Sequence, residues 1–247
     1  MPINLGGNEL NSIGTKLLND TSIVTSGSVL YVDAGIATSY GGSGTTWTDL
    51  TSNANNGTLT NGPTYTTGSG GAIVFDGTDD YVTISNSTSL QVADTFTISA
   101  WVYANNLSNR HAVFSTRRSN TTGCWQLEVG TGSGGTGRVV VTGIGTFIAE
   151  SVDGVINSTT WTNICFVKVN NATQGGTFYV NGASVSLTGT AAYTILNNSD
   201  EKLIGAGTSL GLPFPGRIAN VTLYNRVLSA AEILQNYQSQ RQRFGLS

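Results

Sequence analysis

Charge is scarce in this chain of 247 residues. Asp, Glu, Lys and Arg make up 10% of it, against roughly 25% in an ordinary soluble protein. The 11 basic and 14 acidic residues leave a net charge of −3 and a pI near 5.0. A basic surface for nucleic acid is therefore not expected. One histidine and two cysteines are too few for a typical structural zinc site. Both cysteines, Cys124 and Cys165, lie in apolar runs and read as small buried hydrophobes. No apolar run reaches the ~18 residues of a membrane span, so no membrane partner is expected. The opening MPINLGGNELNSIGTKLLND has no basic stretch followed by an apolar one, so it does not read as a secretory signal. Ala, Glu, Lys and Leu do not recur at helical spacing, which excludes coiled coils and helical bundles.

Glycine is abundant, at 32 residues, and it falls between short apolar runs. AIVF (72–75), YVTI (81–84), TFTISAWVY (95–103), HAVFST (111–116), CWQLEV (124–129), GRVVVT (137–142) and FIAESV (147–152) read as strands. WTNICFVKVN (161–170), GTFYVNG (176–182), ASVSLT (183–188), KLIGA (202–206) and RIANVTLYN (217–225) follow, with SVLYVD (28–33) before them all. Short strands with turn residues in nearly every gap predict an all-β sandwich. In 95–103, Phe96, Ile98, Ala100 and Val102 take one face. Trp101 and Tyr103 share the other with Thr and Ser, as in a sheet partly covered on its second side. Asn181-Gly182 predicts a type I′ hairpin. Residues between 34 and 63 read as one long loop.

One helix is predicted, over 229–240. Ser229 and Glu232 form a capping box, Leu228 and Ile233 a hydrophobic staple, and Ile233, Leu234 and Tyr237 share a face. Arg241 and Arg243 follow, where positive charge suits a helix C-terminus. Such a helix would cover an edge or end of the sandwich. Residues 1–26 read as an N-terminal arm, with a short amphipathic helix in ELNSIGTKLL weakened by Gly14. Residues 27–247 then form the sandwich domain, helix included.

Three stretches carry a family resemblance: VLYVDAG…TTWTDLTSNANNGTL (29–59), IVFDGTDDYVTISNSTSLQVADTFTISAWVY (73–103) and FYVNGASV…KLIGAG…FPGRIANVTLYNRVLSAAEI (178–233). They resemble laminin-G-like jelly-roll domains of the concanavalin A-like lectin/glucanase superfamily. The resemblance covers roughly 27–240. It implies two antiparallel sheets, in a family whose members mostly bind or display. INLGGNELNSIGTK is similar to leader segments in structural proteins of tailed bacteriophages, particularly those of cyanobacteria.

Catalysis is not expected. The glucanase branch carries E-x-D-x-E on one strand, and no such string occurs; Glu128 stands alone, and Glu150 and Asp153 would face opposite sides of a strand. His111 begins an apolar strand and reads as structural. No cofactor is expected. A structural calcium is the ion the resemblance would allow, with Asp33, Asp49, Asp76, Asp79 and Asp80 as oxygen donors. Ala219 stands where the family usually has an acidic residue, which removes one carboxylate. Sugar contact would use Tyr40, Trp47, Tyr65, Trp125, Tyr193 or Phe214, though packing is the expected role for most of them. Arg117-Arg118 could meet an anionic partner, with simple solvation as the plainer reading.

The expected function is that of a non-catalytic virion surface protein of a tailed phage, a head decoration or a fibre-type component. Its arm would dock on other virion proteins or neighbouring subunits, and homo-oligomers fit by analogy. It would assemble in the host cytoplasm and lie on the virion surface. The alternative is a carbohydrate-binding module or adhesin recognising cell-surface glycans.

Overall fold

Alternation along the strand over Phe96–Ala104 sets the plan of the molecule. Phe96, Ile98, Ala100 and Val102 enter the main core, and Trp101 enters a second cluster on the opposite face. Each face of this strand therefore needs a cover. The structure is a computed structural model that describes residues 22–93, 95–116, 123–132, 135–169, 175–191 and 193–247. The expected helix in ELNSIGTKLL, most of the arm, and Arg117-Arg118 lie outside the described residues.

Among those residues the strands form two antiparallel sheets. The first runs, in spatial order, β14 (Ala183–Ser184), β13 (Thr177–Val180), β12 (Thr162–Lys168), β7 (Phe96–Ala104), β17 (Pro215–Tyr224), β5 (Ala72–Asp76) and β4 (Thr64–Thr66). In this sheet β1 (Ser28–Asp33) also pairs with β17. The second runs β15 (Leu187–Thr190), β11 (Thr146–Ser151), β10 (Arg138–Gly143), β9 (Gln126–Gly130), β8 (His111–Ser115), β16 (Lys202–Ile204), β6 (Tyr81–Ile84), β3 (Gly57–Thr60) and β2 (Thr46–Trp47). The sheets pack face to face as a jelly-roll sandwich. Their shared core includes Trp125, stacked on Phe96 at 4.5 Å and tilted on Phe114 at 5.6 Å.

Two expectations are corrected here. The segment 34–63 is not one loop, because it contains β2 and β3, and β4 follows directly. These strands are short and rich in Thr and Gly, so they lack the apolar alternation that marks a strand in sequence. The run 183–188 is not one strand either: Ala183–Ser184 pairs in the first sheet, and Leu187–Thr190 in the second. The hairpin at Asn181-Gly182 does form, with φ of 50° and 78° at the two turn residues, as a type I′ turn requires.

Helix α1 (Ala230–Gln240) begins where its caps dictate. The Glu232 amide donates to Ser229 Oγ (3.3 Å), and the Ser229 amide donates to Glu232 Oε2 (2.8 Å). Leu228 and Ile233 are buried in one cluster, as the staple predicts. Leu234 is exposed at 41%; Asn236, buried and bonded to Tyr224 Oη at 3.0 Å, completes the inward stripe instead.

The helix covers neither an edge nor an end of the sandwich, contrary to expectation. It and the following turn Arg241–Phe244 lie on the outer face of the first sheet. There Trp101 stacks on Phe244 at 4.0 Å and on Tyr237 at 5.7 Å. Two buried tryptophans, Trp101 and Trp161, lie on that face, so covering it removes a large apolar surface from water.

Glu232 also pairs with Arg226 at 2.7 Å. That guanidinium, with the Ser229 amide, holds its carboxyl down at about 2, from an ordinary 4.5. A depressed carboxyl contributes stability that is complete above its unfolded value and lost as pH falls through the folded one. Glu232→Gln is thus expected to flatten the loss of stability between pH 4.5 and about 2. Ser229→Ala should cost about 1 kcal/mol at neutral pH. Thermal unfolding from neutral pH down through that range checks both, and an unchanged acid limb in Glu232→Gln would refute the linkage.

Candidate functional site

With the first sheet sealed by α1, the outer face of the second sheet is the broad surface left for recognition. Its residues follow from register. Glu128 on β9 and Glu150 on β11 both pair with Val140 on β10, so all three share the outward face. Gln126 pairs with Thr142 one step along. Glu128 is the only acid in its own strand, as expected, but strand pairing brings Glu150, two strands away, onto the same face. Glu150 and Asp153 also do not diverge. Asp153 lies past the end of β11, where strand alternation no longer holds, and Arg138 contacts Asp153 at 2.6 Å and Glu150 at 3.3 Å. The hydrogen bond to Asp153 leads the causes that raise the Arg138 guanidinium above its ordinary value.

This face is polar but largely closed. Glu128 has no exposed surface and pairs with Arg110 Nη1 at 3.3 Å. Thr142 Oγ1 donates to Glu128 Oε1, and Gln126 Nε2 donates to the same oxygen at 3.1 Å. The loop after β16 folds over Gln126, whose Oε1 accepts from the Thr208 amide at 2.8 Å. Gly207 sits so close beneath that a Cβ there would collide with Gln126 Oε1. Beside this network a cleft of about 220 Å³ opens between Arg110, Thr142, Thr146, Phe147 and the β10–β11 hairpin. The Arg110 guanidinium lies 5.4 Å from the Phe147 ring centroid. Phe147 and Ile144 are each 37% exposed, among the few large hydrophobics so placed.

Sequence reasoning had not selected Arg110 or Phe147. A lone Phe in FIAESV and an Arg ahead of a strand carry no motif. Only register and the crossing loops bring them together. The six aromatics considered for sugar contact are packing residues, the role expected for most of them. Tyr40, Trp47, Trp125 and Phe214 are buried, and Tyr65 and Tyr193 pack partly buried against the core. His111 is structural as expected. Its Nδ1 lies 2.8 Å from the Pro213 carbonyl, its Nε2 3.1 Å from Asn106 Oδ1, and burial lowers its pKa. Cys124 and Cys165 are both buried, and neither is in a disulfide.

The five aspartates do not converge as one ligand set. Asp33 is held by Arg243 at 2.7 Å. Asp49 accepts the amides of Tyr31, Thr51 and Asn55 at 2.8–3.0 Å. Asp76, Asp79 and Asp80 do meet, with one oxygen of each within 4.8 Å of the others. Part of that capacity is used: Asp76 Oδ1 accepts from Thr78 and Asp79, and Asp80 Oδ2 accepts from the Asp76 amide. The Thr78 amide leads the bonds that lower the Asp76 pKa, while burial raises that of Asp80. Three carboxylates supply only part of the six to eight oxygens calcium takes.

Two antiparallel sheets with one sealed face and one polar, clefted face define a lectin-like β-sandwich. A laminin G profile of the Concanavalin A-like lectin/glucanases superfamily matches residues 76–234, and the chain belongs to that family. No curated protein matches its sequence. Among solved structures it is similar to domain 4 of AbnA, a GH43 extracellular arabinanase from Geobacillus stearothermophilus solved in complex with arabinotriose. That match has 18% identity and a TM-score of 0.63, covering 85% of this chain and 98% of that one. The binding domain of Paraclostridial Mosquitocidal Protein 1 is similar at 16% identity and a TM-score of 0.65, over 87% of this chain and 52% of that one. Trypanosoma rangeli sialidase, solved with sialic acid, is similar at 16% identity and a TM-score of 0.63, over 90% of this chain and 34% of that one. The chain thus spans about half of the toxin domain and a third of the sialidase.

Proposed function

We propose that the chain is a non-catalytic display domain that recognises glycans through the open face of its second sheet. The carrying observation is the asymmetry of the sandwich. The first described residues, 22–26, run along the sealed side: Val24 packs with Ile233 and Tyr224, and its amide donates to Asn236 Oδ1 at 2.7 Å. The described chain thus begins on the side of α1, whereas Arg110 and Phe147 lie on the second sheet. An exposed aromatic beside an arginine suits a hydroxyl-rich ring. AbnA domain 4, similar in fold, was solved with arabinotriose. The carboxylates on this face do not suit hydrolysis, because Glu128 and Glu150 are 0% and 3% exposed and are engaged by arginines. A general acid must touch the glycosidic oxygen.

The proposed setting is the virion surface of a tailed phage, as a head decoration or fibre-type component, with the N-terminal arm (1–26) docking on other virion proteins or on further copies of the chain. The leader-like INLGGNELNSIGTK supports this setting. A structural calcium, where one is held, is proposed for the Asp76–Asp80 turn; recognition at Arg110 and Phe147 does not require it.

A glycan array with the purified chain tests the reading. Binding is expected, with Phe147→Ala reducing affinity about tenfold, or ~1.4 kcal/mol, in a variant that keeps its melting temperature. Binding to no glycan, or binding untouched by Phe147→Ala, would overturn it. For the setting, deletion of residues 1–21 should abolish incorporation into particles while glycan binding persists; incorporation without the arm would refute the docking role.

A further inference from the structure

Arg110, which lines the cleft beside Phe147, also borders a second cleft. This second cleft, of about 510 Å³, starts from the same arginine and runs to the rim of the sandwich, lined by Gly77, Asn109, His111, Thr131, Leu212 and Pro213. The first cleft alone falls below the roughly 300–1,000 Å³ of a site that encloses a drug-sized ligand, and the two joined fall within it. The wall on one side is fixed. Thr208 binds Gln126, the Ala112 amide donates to the Leu212 carbonyl at 2.9 Å, and His111 holds the Pro213 carbonyl. Such a loop is preformed and pays little ordering cost on binding.

Charge along this path selects against acids. The Arg110 cation is already opposed by the buried Glu128 carboxylate. At the far end, Gly77 lies in the turn that carries Asp76 and Asp79, both exposed. A ligand carboxylate near Gly77 would meet that like charge, whereas a hydroxyl beside Arg110 can accept from its guanidinium.

Resting on the glycan-binding reading above, we infer that the two clefts form one groove for a neutral oligosaccharide of about three units lying across Arg110, not a pocket for a single terminal or acidic sugar. The chain-length dependence of binding tests this. Neutral arabino-, xylo-, gluco- and manno-oligosaccharides, from monosaccharide to hexasaccharide, are titrated calorimetrically beside their uronic-acid counterparts. Affinity for the neutral series that binds should rise at least about tenfold from monosaccharide to trisaccharide and then level off. Thr131→Trp, which fills the second cleft, should bring the trisaccharide down to monosaccharide affinity. The wild-type series decides the matter even where that variant folds poorly. Equal affinity at all lengths, a preference for the uronic acids, or full trisaccharide affinity in a folded Thr131→Trp would overturn the groove while leaving a glycan site in place. Binding of no sugar at all would instead remove the reading on which the groove rests.

Discussion

Arg243→Met is expected to destabilise the protein by about 3–5 kcal/mol, the usual cost of stripping the partner from a buried charge. Arg243 Nη1 donates to both oxygens of Asp33, at 2.7 and 2.8 Å, while its Nε and Nη2 donate to the carbonyls of Ser69 (3.1 Å) and Gly71 (2.6 Å). One side chain thus ties the C-terminal turn to the end of β1 and to the loop before β5. Asp33 is 1% exposed. Its remaining partners, the Gly35 amide at 2.8 Å, the Tyr31 hydroxyl at 3.3 Å and the Asn220 amide group at 3.3 Å, carry no charge. The same loss would loosen Phe244 from Trp101. Urea unfolding checks the value, and Asp33→Asn combined with Arg243→Met should recover a substantial part of the single-variant cost if the unpaired carboxylate is its source. A cost below about 1 kcal/mol would mean that the pair behaves as a surface contact.

Trp125→Ala should cost a further large amount, about 3–5 kcal/mol, by opening a cavity between the sheets. Trp125 is 1% exposed, and its contacts with Phe96 and Phe114 lie within the main core. Chemical denaturation measures this directly. The variant is expected to lose glycan binding only in proportion to the fraction unfolded. A stable Trp125→Ala that no longer bound sugar would return this residue to the role of a ligand platform.

Much of the fold was legible because alternation and turn chemistry are local. Phe96, Ile98, Ala100 and Val102 are inward as their spacing requires. Asn181-Gly182 turns as that dipeptide does. Ser229 and Glu232 start the helix. Thr46–Trp47 and Gly57–Thr60 were not legible, since strands of two to four residues take their order from a neighbour already in place. Arg243 shows the same limit for charges. In sequence it is a cation at the end of a helix, and in space its nearest charge is Asp33, 210 residues earlier. That contact also removes Asp33 from any metal set, which the spacing of aspartates could not reveal.

Sequence by itself determined a charge-poor, glycine-rich β-sandwich of a family known by its strand motifs, with paired carboxylates missing from any one strand. Both follow from composition and from patterns within a few residues of each other. Only the tertiary structure decided which face is sealed and which is open, that Glu128 and Glu150 share a side yet stay buried under arginines, and that Arg110 and Phe147 flank a cleft. These depend on strand register and on where loops cross a sheet. Both are set by packing between segments far apart in the chain, and a period-two pattern carries no information about either.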